Sequence, residues 1–291
     1  MAYLIALLAT LFIFGDSAPA PSGGLDGSGE VTIALDPLTE PREDLPLPRV
    51  TPARGEDPPL VVIDAGHGGR DPGAASPFGE RLEKHVTLAI ARAIRNDLAQ
   101  SGRVRVALTR EDDRYLLLQD RYEIARRLGA DLFISIHADA APSNDGARGA
   151  TIYTLSEVAS DRHAALLAQR ENSADLVGGA RLSQDPTVNV ILIDLAQRES
   201  MDVSADFARI LYREASSVFP FRPEWHRFAS LVVLKAPDIP SVLFESGYLT
   251  NEVDVAYIHS PEGQRQIADG MRRAVEAHFA RRFLAARRPE A

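Results

Sequence analysis

The sequence predicts an α/β protein: a mainly parallel sheet flanked by helices on both faces, with a helical insertion late in the chain. Two observations carry this. Short apolar runs such as "LVVID" and "LFISIH" alternate along the chain with longer amphipathic stretches, the pattern of strands joined by crossover helices. The runs are also continuously apolar rather than alternating, as strands covered on both faces must be. With 291 residues, 45% of them hydrophobic and 25% charged, the chain can bury one sizeable core or two modest ones.

Residues 1–20 contain the twelve-residue apolar run "YLIALLATLFIF" followed by "SAPA". The run is shorter than the roughly 20 residues a spanning helix needs, and reads as an export signal ending at Ala20 or as a short uncleaved anchor. Residues 21–57 are rich in Pro, Gly, Asp and Glu without an apolar period, the composition of a linker. The folded domain is therefore placed at 58–285. "LVVID" (60–64) is its first strand, and "LEKHVTLAIARAIRNDL" its first helix, with Leu82, Val86, Ile90, Ala93 and Ile94 on one stripe. "RVRVALTR" follows as a strand, "LLLQDRYEIARRLGA" as a helix, then "DLFISIHAD" and "ARGATIYTL" as strands. "SLVVLKA" and "PSVLFES" read as the last two strands, before a helix from about Glu262 to Phe283.

The formal net charge of −9 excludes nucleic acid as the expected partner. The chain has no cysteine, so a metal would have to be held by His, Asp or Glu. In open α/β sheets ligands bind beyond the carboxyl ends of the strands. His67 follows the first strand, His137 ends "LFISIH", Glu245 ends "SVLFE", and Glu83 opens the helix that the glycine loop "GHGGRDPG" feeds. Each has an ordinary reading of its own: a phosphate-binding glycine loop around His67, a core histidine at 137, a carboxylate favoured by the helix dipole at 83. The loop, however, matches neither a dinucleotide nor a P-loop fingerprint, and an acid ending so apolar a strand as the one before Glu245 needs a partner. Together they form a His₂Glu zinc set, His67, Glu83 and His137, with Glu245 left to act as general base. Zinc acidifies its water and polarises a carbonyl, so the implied reaction is hydrolysis of an amide or ester. The loop glycines are expected to leave room for substrate. His85, His163, His226, His259 and His278 are not nominated, and Arg110 and Arg121 are left between a structural ion pair and a substrate contact.

The segments "VVIDAGHGGRDPGA", "EKHVTLAIA", "LTREDDRYLLLQDR", "FISIHAD" and "IPSVLFESGYLTN", in that order, resemble the zinc-dependent N-acetylmuramoyl-L-alanine amidases of the periplasmic, cell-separating type. The resemblance covers most of residues 58–283. It implies zinc on His67, Glu83 and His137, Glu245 as acid/base, and cleavage of the amide joining muramic acid to L-alanine in peptidoglycan. Many members carry an N-terminal β-sandwich for wall targeting, which the 37 residues of 21–57 are too few to build.

Residues 156–230 form an insertion that a compact α/β unit does not require. "SEVASDRHAALLAQRENSADLVGG" reads as a helix starting at Ser156, with a stripe of Ala164, Leu167 and Ala168 and a stop at Gly178-Gly179; a second helical run spans about Val190 to Val218. By itself this is a surface hairpin. The resemblance implies an autoinhibitory helix on which Glu171 closes the zinc's open position until a LytM-like protein activator moves it. Two other functions stay open on the residues alone: a zinc (carboxy)peptidase acting on stem peptides, and a non-catalytic wall-binding module, the latter at odds with a filled set of metal and base positions.

Overall fold

The computed structural model describes residues 45–141, 144, 146–177 and 190–286; the leader assigned to 1–20 and the linker up to residue 44 lie outside them. Six strands form one sheet: β1 Leu60–Ala65, β2 Arg105–Leu108, β3 Leu132–Asp139, β4 Ala150–Leu155, β5 Phe221–Ala229 and β6 Ser241–Tyr248, in the order β2-β1-β3-β6-β4-β5. Four of the five pairings are parallel, and β4 runs antiparallel to β6. The helices are α1 Glu83–Ser101, α2 Leu118–Leu128, α3 Arg162–Asn172, α4 Ala174–Val177, α5 Val190–Ala215, α6 Glu252–His259 and α7 Pro261–Ala286. None of the described helices is long and apolar enough to cross a membrane.

The two faces of the sheet make two cores. On one, Val61 and Ile63 of β1, Ile134 and Ile136 of β3, and Val242 and Phe244 of β6 pack with Ile90 and Ile94 of α1, Phe207 and Leu211 of α5, and Met271 and Val275 of α7. On the other, Val62, Phe133 and Leu243 pack with Tyr122 and Ala125 of α2 and with Ala164, Leu167 and Ala168 of α3. Burying each large side chain contributes about 1.5–3 kcal/mol. The two-residue period of a strand then decides where the polar residues go. His137 shares its face with Phe133, and Glu245 with Leu243, so both lie on the α2–α3 side. They are register partners across β3 and β6.

Local chemistry sets the helix ends. Gly102 and Gly129, at φ of 67° and 65°, terminate α1 and α2 in the left-handed conformation that glycine adopts without a Cβ penalty. Asp161 caps α3 by accepting the Ala164 amide at 2.9 Å, so the helix begins at Arg162, six residues later than the Ser156 start read from sequence.

Three further expectations change. "SLVVLKA" is not a strand; its centre, Val232–Leu234, is a 3-10 turn that packs into the second core. The strand of this region is β5, "FRPEWHRFA", which lacks a strand signature in sequence because it holds Pro223 and three charged residues. Proline removes a ladder donor and is tolerated at sheet edges, and β5 is an edge strand with a register shift opposite Pro223. Consequently residues 156–230 are not a purely helical surface insertion: α5 belongs to the first core and β5 to the sheet. The linker assigned to 21–57 also ends earlier than drawn. Leu45 is buried, its carbonyl accepts from Arg127 at 2.9 Å, and Thr51 pairs with Val106 of β2.

Candidate metal centre

The loop leaving β1 turns sharply at His67, whose φ of 59° is left-handed. For a residue with a side chain that conformation costs on the order of 1–3 kcal/mol. Two buried guanidiniums hold it. Arg110 donates to the Ala65 carbonyl (2.8 Å, Nε) and the Gly66 carbonyl (2.8 Å, Nη2), and Arg121 donates to the carbonyls of Ala65 and His67, each at 2.8 Å. Arg121 also pairs with buried Asp64 at 3.0 Å. Both arginines therefore clamp the loop from below, which decides between the two readings left open for them.

The turn delivers the His67 imidazole into a buried cluster. His67 Nε2 lies 2.9 Å from Glu83 Oε1 and 3.4 Å from Glu171 Oε2. His137 Nδ1 lies 3.1 Å from Glu83 Oε1 and 3.2 Å from Glu171 Oε2. One donor atom from each of the four residues falls within 4.8 Å of all the others. The opposite edges are fixed. His67 Nδ1 donates to Asp71 Oδ2 at 2.8 Å, which presents Nε2 to the cluster, and Glu83 accepts the Ala74 and Ala138 amides at 2.8 and 3.0 Å. Two loop glycines make room, though not for substrate as expected from sequence. A Cβ on Gly66 would stand 2.5 Å from the His137 ring, and one on Gly73 would stand 2.6 Å from Glu83 Cβ. They let the protein's own donor groups converge.

Glu245 is fully buried beside this cluster without belonging to the group of four, and neither carboxylate oxygen has a hydrogen-bond partner. Burial, then the nearby charge of Asp139, raises its pKa well above the usual carboxylate range, against the pull of His137. The imidazoles move upward too. Burial alone would lower them, but Glu83, Glu171 and Asp71 hold His67 at about 10, and Glu171 and Glu83 hold His137 at about 10. Burial raises the Glu171 pKa, and His137, Arg170 and His67 outweigh it, drawing it down to about 2.

These residues fit a divalent metal. His67 Nε2 and Glu171 Oε2 are buried within ion-pair distance of the other cluster groups but aligned with none of them for a hydrogen bond, and a coordinated ion would satisfy both. Mixed imidazole and carboxylate donors suit zinc. All five residues expected from sequence are thus close together, and those missed are the ones that hold them. Asp71 orients His67. Asp139 anchors α3 by accepting from Arg170 Nη1 at 3.0 Å and from His163 Nε2 at 3.0 Å. Asn172 donates to the Ser230 carbonyl at 2.8 Å and accepts the Val232 amide at 2.9 Å. Asp71 follows His67 by one helical turn's worth of chain and was findable by asking what carboxylate orients the imidazole; Asp139 and Asn172 carried no such signal.

His67→Ala or His137→Ala leaves two of the three expected protein ligands, too few for a tight site, and each should abolish stoichiometric zinc measured by elemental analysis; full zinc in both would sink the assignment. In protein stripped by a chelator, the raised imidazoles contribute stability that is fully present below about pH 6.5 and lost as pH rises toward 10, while Glu171 contributes stability lost as pH falls below about 4.5. Metal competes with the imidazole protons. The rise in Tm on adding zinc should therefore grow between about pH 6 and pH 8.5; a rise that shrinks over that interval would contradict protonated imidazoles in the metal-free protein.

Fold and cluster define a class: an α/β domain with a candidate divalent-metal centre at the carboxyl rim of its sheet, covered by a helix. Residues 61–277 match the family described as N-acetylmuramoyl-L-alanine amidase. The chain is 36% identical over 249 residues to AmiA of Escherichia coli strain K12, covering 85% of this chain and 84% of that protein. It is 35% identical over 236 residues to AmiC of Escherichia coli O6:H1, covering 80% of this chain but 56% of the relative's length. Among solved structures, AmiC2 of Nostoc punctiforme superposes with a TM-score of 0.56 at 27% identity, covering 78% of this chain and 99% of that one. The chain belongs to the N-acetylmuramoyl-L-alanine amidase family.

Proposed function

We propose that this protein is an exported, periplasmic, zinc-dependent amidase that cleaves the bond between N-acetylmuramic acid and L-alanine in peptidoglycan during septal wall splitting. In the resting state Glu171 holds it inactive, and a LytM-like activator displaces α3. The observation that carries this is the convergence of His67, Glu83, His137 and Glu171 within 4.8 Å, beside a buried and unpartnered Glu245.

His67, Glu83 and His137 would hold the ion, which when bound supplies a Lewis acid that polarises the amide carbonyl and acidifies water. The protein's residues do the rest. Asp71 keeps the His67 Nε2 lone pair directed inward. The Glu245 carboxylate takes a proton from the attacking water and delivers it to the L-alanine nitrogen as the C–N bond breaks. α3 bars both water and substrate while Glu171 occupies the cluster.

Digestion of purified sacculi by the full chain, with zinc or chelator, tests the reading. Expected products are stem peptides with a free L-alanine amine and peptide-free glycan strands, made slowly by the resting enzyme and not at all under chelation. Cuts inside the stem peptide would make it a zinc peptidase. Wall binding with no cleavage even in Glu171→Ala would leave a binding module.

A further inference from the structure

A groove of about 830 Å³ opens beside the candidate centre, walled by residues 75–78 and 250–253. Both walls are direct continuations of elements that build the centre. Residue 75 follows Ala74, whose amide donates to Glu83 Oε2 at 2.8 Å. Thr250 closes the turn after β6, the strand that carries Glu245, and its hydroxyl oxygen accepts the Ala141 amide at 2.9 Å. No residue of α3 lines the groove. It stays open while the helix covers the cluster.

We infer that this groove is a subsite for the glycan arm of the substrate, seating an N-acetylated pyranose against Phe78. The inference rests on the reading of the chain as a peptidoglycan amidase, and names which half of that substrate lies where. The volume falls in the ~300–1,000 Å³ range of small-ligand sites. Phe78 and Val253, 40% and 58% exposed, are large apolar side chains on its two walls. Solvent-exposed phenylalanine offers a flat face to the C–H face of a sugar ring, and valine a surface for an acetyl methyl, while Ser76 and Glu252 supply polar groups for sugar hydroxyls. The alternative occupant, the stem peptide, carries carboxylates. The groove's lining contains no Lys or Arg, and its charged member is Glu252, so an anionic peptide meets a like charge there. A guanidinium is found instead in a separate 310 Å³ cavity between α3 and residues 139–141, lined by Arg170 together with Asp139 and His163. A substrate lying across the centre would thus place its neutral sugar away from the helix and its charged peptide beneath it.

The test reads binding, not turnover. The resting full chain is titrated with a tetrasaccharide of N-acetylglucosamine, which carries the N-acetylated pyranose without the lactyl carboxylate that peptide-free muramic acid exposes, and separately with the free stem peptide, while the amide signals of Ser76, Phe78 and residues 250–253 are followed by NMR. The tetrasaccharide should shift these signals and the stem peptide should not. Phe78→Ala should weaken tetrasaccharide binding about tenfold, the scale of one aromatic contact, and Phe78→Trp should retain it; melting curves of both variants check the fold. Unchanged affinity in Phe78→Ala, shifts produced by the stem peptide instead, no shift with the sugar, or concentration-dependent shifts from self-association without any ligand would each overturn the subsite. Failure of the amidase reading is seen separately, in the sacculus products, because sugar binding needs neither metal nor an open α3.

Discussion

Glu245→Gln is expected to lower peptidoglycan hydrolysis by about 10²- to 10⁴-fold, the usual share of a positioned acid/base, with zinc content and fold retained. The reason lies in what the carboxylate lacks. It is fully buried, at a register position beside His137, and neither oxygen accepts a hydrogen bond. A carboxylate kept in that state does not serve the fold: its pKa is raised by burial and by Asp139, so above the unfolded carboxylate pKa the chain loses stability as pH rises and the group is forced to ionise. The isosteric amide removes that cost. Tm of Glu245→Gln near neutral pH should accordingly equal or exceed that of the parent, while turnover on sacculi collapses. A variant that loses activity together with its melting transition would indicate a structural role, and one that hydrolyses at near-normal rates would transfer the proton-moving role to another residue.

The contrast between what could and could not be read from sequence follows the reach of each interaction. His67, His137 and Glu245 were legible because each closes an apolar run, and the carboxyl halves of parallel strands share one rim; the strands themselves run on past His137 to Asp139 and past Glu245 to Tyr248. Glu83 followed from the helix that the loop must feed. The sheet was legible wherever strands were continuously apolar and failed at its edge, where β5 mixes Pro223, Arg222 and Glu224 and an edge requires no apolar run. The strand proposed at "SLVVLKA" failed for the opposite reason: its apolar residues are buried in the second core, against α2, as a turn, and burial without period cannot distinguish turn from strand. Asp139 and Asn172 were invisible because their partners, Arg170, His163 and the 230–232 backbone, are 24 to 60 residues away. The expected role of the glycines was inverted because only geometry reveals that the space at Gly66 and Gly73 is filled by His137 and Glu83.

Glu171→Ala is expected to raise basal hydrolysis by the unactivated protein about tenfold or more. Each 1.4 kcal/mol by which the closed state is favoured suppresses activity about tenfold, and several contacts favour it. Glu171 Oε2 reaches both imidazoles, at 3.2 and 3.4 Å. Arg170 bridges Glu171 and Asp139, and Asp161 pairs with Arg227 of β5 at 2.8 Å. Beyond the helix, Asp175 accepts from the Tyr115 hydroxyl at 2.9 Å and the Leu118 amide at 3.0 Å. Ala164, Leu167 and Ala168 remain buried in the second core whatever residue 171 is. The substitution therefore clears the cluster without undocking α3, and the gain should be smaller than a full activator produces. Deleting 157–177 is the harsher route, but it would strip cover from Leu155, Ala229 and Leu231, exposing an apolar patch that invites aggregation. Glu171→Gln separates charge from bulk: it keeps the volume in the cluster while removing the anion, so its activity should lie between the parent's and that of Glu171→Ala. A folded, zinc-loaded Glu171→Ala protein whose hydrolysis of sacculi is no faster than the parent's would sink the closed-state reading. It would leave His67, Glu83, His137 and Glu245 untouched, since none of them lies within 156–230.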